Sequence, residues 1–143
     1  MLTLYCDTAV IVSAFTAEAQ SEDVRAWLSR RADTLAVSHW VATEFSGALA
    51  MKRRLGVIDT VGWSGVMKAW QRFCAGELHV ESVTETDFAL AATLLDRGDL
   101  KLRSGDALHL AIVVARGWSL ATLDHDLAQA ATQMRVEVDT VLD

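Results

Sequence analysis

Short, β-prone apolar runs alternate along this chain with longer stretches whose apolar residues recur at helical spacing. Leu2–Cys6 reads as a buried strand and Thr8–Phe15 as the helix that follows it. Ser21–Arg31 is an amphipathic helix with Val24, Trp27 and Leu28 on one face, and Thr34–Ser38 is a second strand. Val41–Leu55 forms a helix closed by Gly56, since glycine adopts the left-handed conformation that ends helices. Asp59 caps a helix to about Cys74, and Leu78–Val80 is a short strand. Thr84 and Asp87 have capping-box spacing ahead of a helix over Phe88–Leu95 that ends near Gly98. Ser104 N-caps a helix through Ala115, ended by Gly117. Trp118–Thr122 is a strand, Asp126–Thr132 a helix and Val136–Val138 a last short strand.

Strands separated by helices imply an α/β fold: a central, mostly parallel sheet of about five strands with helices on both faces. Neither repeats nor a shift in composition divides the 143 residues, so one domain over 1–143 is expected. With 52% hydrophobic and 22% charged residues the chain holds enough apolar mass for a core, and the absence of proline argues against long irregular linkers. Cys6 and Cys74 form no C-x-x-C pair and read as reduced, small buried hydrophobes. No basic region precedes the first apolar run, so no signal peptide is expected. The most apolar stretch, Leu108–Ala115, contains His109 and stops at Arg116, well short of the roughly 20 residues that span a membrane. A cytoplasmic protein with no membrane segment is the expectation.

In parallel α/β sheets, ligands bind beyond the carboxyl ends of the strands. That rule singles out a few of the 19 acidic residues. Asp7 ends the first strand and Asp124 follows the strand Trp118–Thr122. Glu44 and Asp106 fall in the first turns of their helices, where the helix dipole favours carboxylates. Four carboxylates converging on one edge repel one another, so they require protons or a cation. Mg²⁺ and Mn²⁺ prefer oxygen ligands and keep several waters; such an ion polarises a phosphodiester and lowers the pKa of a bound water. By position alone, each acid is equally well read as a solvated or dipole-complementing surface group.

The flanking residues narrow the choice. Tyr5-Cys6-Asp7-Thr8-Ala9, Ala42-Thr43-Glu44-Phe45, the segment Leu102-Arg103-Ser104-Gly105-Asp106-Ala107-Leu108-His109-Leu110-Ala111, and Leu120-Ala121-Thr122-Leu123-Asp124 resemble, in order and spacing, the four motifs of PIN-domain proteins. The Asp106 segment is the most specific of them. Over essentially its whole length the chain is similar to the small PIN ribonucleases that form the toxin half of bacterial VapBC toxin–antitoxin pairs. The resemblance implies a PIN-like three-layer sandwich and Mg²⁺- or Mn²⁺-dependent endonucleolytic cleavage of RNA. It implies that Asp7 and Asp106 bind metal directly, that Glu44 and Asp124 complete the pocket, and that Thr122 orients a carboxylate or water. Thr8 and Asp126 stand as supporting residues, Asp126 also reading as a helix N-cap. It further implies a VapB-like antitoxin partner and a homodimer. The alternative is a catalytically weak PIN scaffold that binds protein or RNA.

The remaining polar residues add less. His109 lies one helical turn after Asp106 and reads chiefly as a polar contact near the site, while His125 reads as a solvated loop residue. His39 and His79 lack the neighbours zinc requires. Arg103 is a candidate phosphate contact; the clusters Lys52-Arg53-Arg54 and Arg30-Arg31 complement helix ends. The net charge of −6 implies weak non-specific affinity for RNA. Of five tryptophans, Trp27 and Trp40 are expected at or near a partner surface. A haloacid-dehalogenase-type phosphotransferase requires a second acid where Ala9 stands, and a receiver domain requires an acidic pair and a late lysine that are not evident.

Overall fold

The computed structural model describes residues 3–31, 34–76 and 78–142. Its centre is β1 (Thr3–Cys6), flanked by β2 (Thr34–Ser38) and β4 (Ser119–Ala121), with β3 (His79–Glu81) and β5 (Val138–Asp139) at the edges. Every pairing among the five is parallel. Tyr5 lies in register between Ala36 and Leu120, and all three are fully buried. Strands covered on both faces explain why β1 is buried from Leu4 to Cys6 and β4 at Leu120 and Ala121. Helix α1 (Thr8–Phe15) packs on α2 (Ser21–Ser29), α3 (His39–Arg54) and α4 (Thr60–Ala75); α6 (Ser104–Arg116) packs on α5 (Glu85–Asp96) and α7 (His125–Gln133). These two helical groups and the sheet make three layers.

The order β3-β2-β1-β4-β5 places a reversal at the centre. From β1 the chain builds outward through β2 and β3, then returns to add β4 on the other side of β1. Connections leaving β1 and β4 diverge to opposite faces, and a crevice opens at the carboxyl ends of these two strands. Asp7 and Asp124 stand there.

Local chemistry sets the helix boundaries. Ser38, the last residue of β2, also caps α3, its Oγ accepting from the Val41 N–H at 3.3 Å. Strand passes straight into helix at His39, two residues earlier than expected, so Glu44 falls in the second turn of α3 rather than the first. Thr84 and Asp87 form the expected reciprocal capping box on α5. At α6 the cap position is Arg103, with no side-chain bond; Ser104 is already helical, contrary to its expected capping role. Asp124, not Asp126, caps α7: its Oδ1 accepts from the N–H groups of Asp126 (2.8 Å) and Leu127 (3.1 Å). Gly117 ends α6 with φ at 68°, and Gly56 follows α3 with φ at 74°. The remaining boundaries differ by one to three residues, and Leu2 lies outside the described residues.

Beneath α1, Phe45 stacks on Trp70 with ring centres 4.7 Å apart, and Phe15 meets both edge-on. Trp27 is buried to 1% exposure and donates its indole N–H to Asp139 on β5, so it is a core residue and not part of a partner surface. Half-buried Trp40 donates to the Gly105 carbonyl at 3.3 Å and ties α3 to the start of α6. On the opposite face Arg116 bridges Glu81 and the buried Asp87, holding both carboxyls below their ordinary range. Among the described residues no helix is long and apolar enough to cross a membrane.

Candidate active site

A cleft of about 730 Å³ lies at the carboxyl ends of β1 and β4, and its walls include Asp7, Glu44, Asp106 and Asp124. Asp7 comes directly from β1, Glu44 from α3, Asp106 from the first turn of α6 and Asp124 from the loop after β4. Thr8, His109 and Arg103 border the same space. The structure therefore brings all four expected acids together.

Asp7 is the most buried of them, at 3% exposure. Its backbone N–H extends the sheet by donating to Ala121 at 3.1 Å, and its Oδ1 caps α1 by accepting from the Val10 N–H at 3.2 Å. The Thr122 hydroxyl donates to Oδ2 and itself accepts from the Asp124 N–H at 3.0 Å. Burial raises the Asp7 pKa from 3.8 to about 6, the Thr122 bond opposing but not cancelling that rise. Asp106 is also raised, first by burial and then by the charges of Asp124 and Glu44.

Glu44 is held differently. Its Oε1 accepts from the Thr8 hydroxyl at 2.6 Å and meets His109 Nε2 at 2.6 Å. Partial burial pushes its pKa up, but these bonds outweigh it and leave the carboxyl below the ordinary range. Its Oε2 rests against Gly105, where an added Cβ would lie 3.0 Å away. Glycine thus permits the close approach of α3 to α6 that seats Glu44.

Asp126 does not border the cleft; it is half-buried in the first turn of α7, and Lys101 approaches it at 3.7 Å. Thr122 lines a smaller adjoining hollow of about 230 Å³ together with Gln20, His125 and Thr140. Sequence reasoning missed Glu18, which borders the main cleft and pairs with Lys52 at 3.0 Å. It lies in the loop after α1 and carries no local pattern that would mark it.

The donors facing the cleft suit a hard divalent cation: four carboxylates, two with raised pKa, whose mutual repulsion a cation would relieve. Among the described residues no three acids or histidines are already drawn into a closed ligand cage. Mg²⁺ needs no such cage, because one or two direct carboxylates suffice while its remaining positions hold water.

The PIN domain family model matches residues 4–133. The chain belongs to the PIN-domain family. No curated protein matches its sequence. Its PIN fold is shared by Mycobacterium tuberculosis VapC20, a sarcin–ricin loop cleaving toxin, with TM-score 0.70 and 18% identity over 89% of this chain and 94% of that one. It is shared by FitAcB from Neisseria gonorrhoeae, with TM-score 0.72 and 17% identity over 96% and 97% of the two chains. DNA-bound VapBC from Salmonella typhimurium matches with TM-score 0.70 and 12% identity over 97% and 98%. At these identities what is shared is the PIN architecture.

Proposed function

We propose that this PIN domain, spanning 1–143, is a Mg²⁺- or Mn²⁺-dependent endoribonuclease that acts in the cytoplasm as a VapC-type toxin. The observation that carries the reading is the convergence of Asp7, Glu44, Asp106 and Asp124, from four separate segments, on one cleft at the strand-order reversal. The toxin described for VapC20, and the complexes in which the other neighbours occur, support an RNA substrate and a VapB-like antitoxin partner. A homodimer accompanies that reading.

In this mechanism Asp7 and Asp106 would hold the cation directly, and Glu44 and Asp124 would complete the pocket, holding metal or water. A divalent cation held there would supply polarisation of the phosphodiester and a lowered pKa for a bound water. The residues of this chain supply position. Thr122 fixes Asp7, and the N-terminus of α1 lies under the same carboxyl. Thr8 fixes Glu44. Exposed Arg103, at the cleft mouth, offers a guanidinium to a phosphate of the RNA backbone. Asp126 has a supporting part at most, through the helix that Asp124 caps.

The test is incubation of the purified protein with structured RNAs, with Mg²⁺ or Mn²⁺ and with chelator. Metal-dependent cleavage that disappears in Asp7→Asn and Asp106→Asn is expected. Cleavage that survives both substitutions overturns the reading; absence of cleavage on every RNA leaves a PIN scaffold that only binds.

A further inference from the structure

A buried chain of hydrogen bonds runs from the backbone of α3 to Glu44. The Val41 N–H donates to Ser38 Oγ at 3.3 Å. Ser38 Oγ lies 2.8 Å from Tyr5 Oη, and Tyr5 Oη lies 2.7 Å from His109 Nδ1. His109 Nε2 ends the chain 2.6 Å from Glu44 Oε1. Ser38, Tyr5 and His109 are each at most 1% exposed, so solvent does not complete their bonding.

The inventory of donors decides the direction. Among the described residues, Ser38 Oγ meets only the Val41 N–H, which donates to it, and Tyr5 Oη. The Ser38 proton must therefore go to Tyr5, and the Tyr5 proton to His109 Nδ1. Nδ1 is then an acceptor, and the ring's proton sits on Nε2, facing Glu44. Reversing the chain would strand the Ser38 proton in a fully buried position. In a neutral ring it would also set two acceptors, Nε2 and a carboxylate oxygen, against each other at 2.6 Å.

We propose that Tyr5 is a positioning residue: it fixes His109 as the Nε2–H tautomer, and that N–H, with the Thr8 hydroxyl, pins Glu44 Oε1 so that Oε2 is left against Gly105, in the cleft that Asp106 also lines. The proposal rests on the metal-site reading for its purpose but not for its geometry. Tyr5 belongs to the strand that also delivers Asp7. One strand thus positions two acids, one directly and one through the imidazole of α6.

Long-range ¹⁵N–¹H NMR of the His109 ring in metal-free protein tests it first. The expected wild-type ring carries a proton on Nε2 and none on Nδ1; a proton on Nδ1 at neutral pH overturns the proposal. In Tyr5→Phe Nδ1 loses its donor, so its ¹⁵N resonance is expected to shift, and Mn²⁺ titrated alone, without RNA, to bind about ten-fold more weakly. A folded Tyr5→Phe with unchanged ring and unchanged Mn²⁺ binding also overturns it. Should Tyr5→Phe not fold, the wild-type ring decides. A wild-type ring of the expected form in a protein that cuts no RNA supports the Tyr5 hold and sinks only the nuclease reading.

Discussion

Thr122 and Asp7 are 115 positions apart in sequence, yet the hydroxyl of one donates to the carboxylate of the other. The same hydroxyl oxygen accepts the Asp124 N–H, so a single side chain sets the spacing of two candidate metal residues. Thr122→Val keeps the shape and removes both bonds. The variant should lose about 1–3 kcal/mol of stability, since it leaves the Asp124 N–H and a buried carboxylate oxygen unpaired. Mn²⁺ affinity should fall about ten-fold. Urea denaturation and a Mn²⁺ titration check the two effects separately.

Asp7 predicts an unusual pH dependence. Its pKa rises from 3.8 to about 6 on folding because burial disfavours the charged form. Between those values the native state binds more protons than the unfolded state, so the metal-free protein should gain stability as pH falls from 7 towards 4. The contribution of this one group is at most about 3 kcal/mol. Asp106, also raised, acts in the same direction. Denaturation in chelator at pH 7 and pH 5 measures the gain, and Asp7→Asn should flatten it. A metal-free protein that only loses stability on acidification over this range would contradict the assignment.

Gly105→Ala should separate stability from activity. Alanine favours the helix by up to about 1 kcal/mol over glycine. Its Cβ, however, would stand 3.0 Å from Glu44 Oε2 and displace it. A melting temperature unchanged or raised, with RNA cleavage reduced about ten-fold or more, is expected.

Arg116 lies on the other face and should show the reverse. It donates to both oxygens of Asp87, at 2.8 and 2.9 Å, and Asp87 is 1% exposed. Arg116→Met leaves that carboxylate buried without its partner and should cost about 3–5 kcal/mol. Mn²⁺ affinity of the folded fraction should be unchanged. The Asp87 pKa is depressed by this pairing, so its contribution is present at neutral pH and lost as pH falls through its folded value.

The parallel architecture was legible in the alternation of apolar runs with helical stretches, whereas the meeting of the four acids was legible only through the motifs that flank them, since position alone fitted surface carboxylates equally well. Apolar runs end at Asp7 and near Asp124, and a turn-forming glycine follows the periodic stretch of α6. The details that failed depend on which of two adjacent polar residues reaches the backbone first. Asp124 outcompetes Asp126 for the α7 cap, and Ser38 starts α3 before Val41, which carries Glu44 into the second turn. Trp27 could not be assigned to core or surface from α2 alone, since its partner Asp139 lies 112 residues away on β5. Tyr5 was silent for the same reason: nothing in Tyr-Cys-Asp announces a phenol aimed at His109. The role of Gly105 depends on the approach of a second helix and has no signature in its own segment.

Because β4 docks beside β1 only after α6 has been made, the order of synthesis becomes a safeguard. A chain still emerging from the ribosome holds Asp7 and Glu44 long before it holds Asp106 and Asp124, and the open edge of β1 has nothing to complete the cleft. The cleft is thus incomplete until the segment that carries Asp124 has been made. The loop between β3 and α5 divides the four acids into two pairs. A chain severed there would carry only two of the four acids on each half.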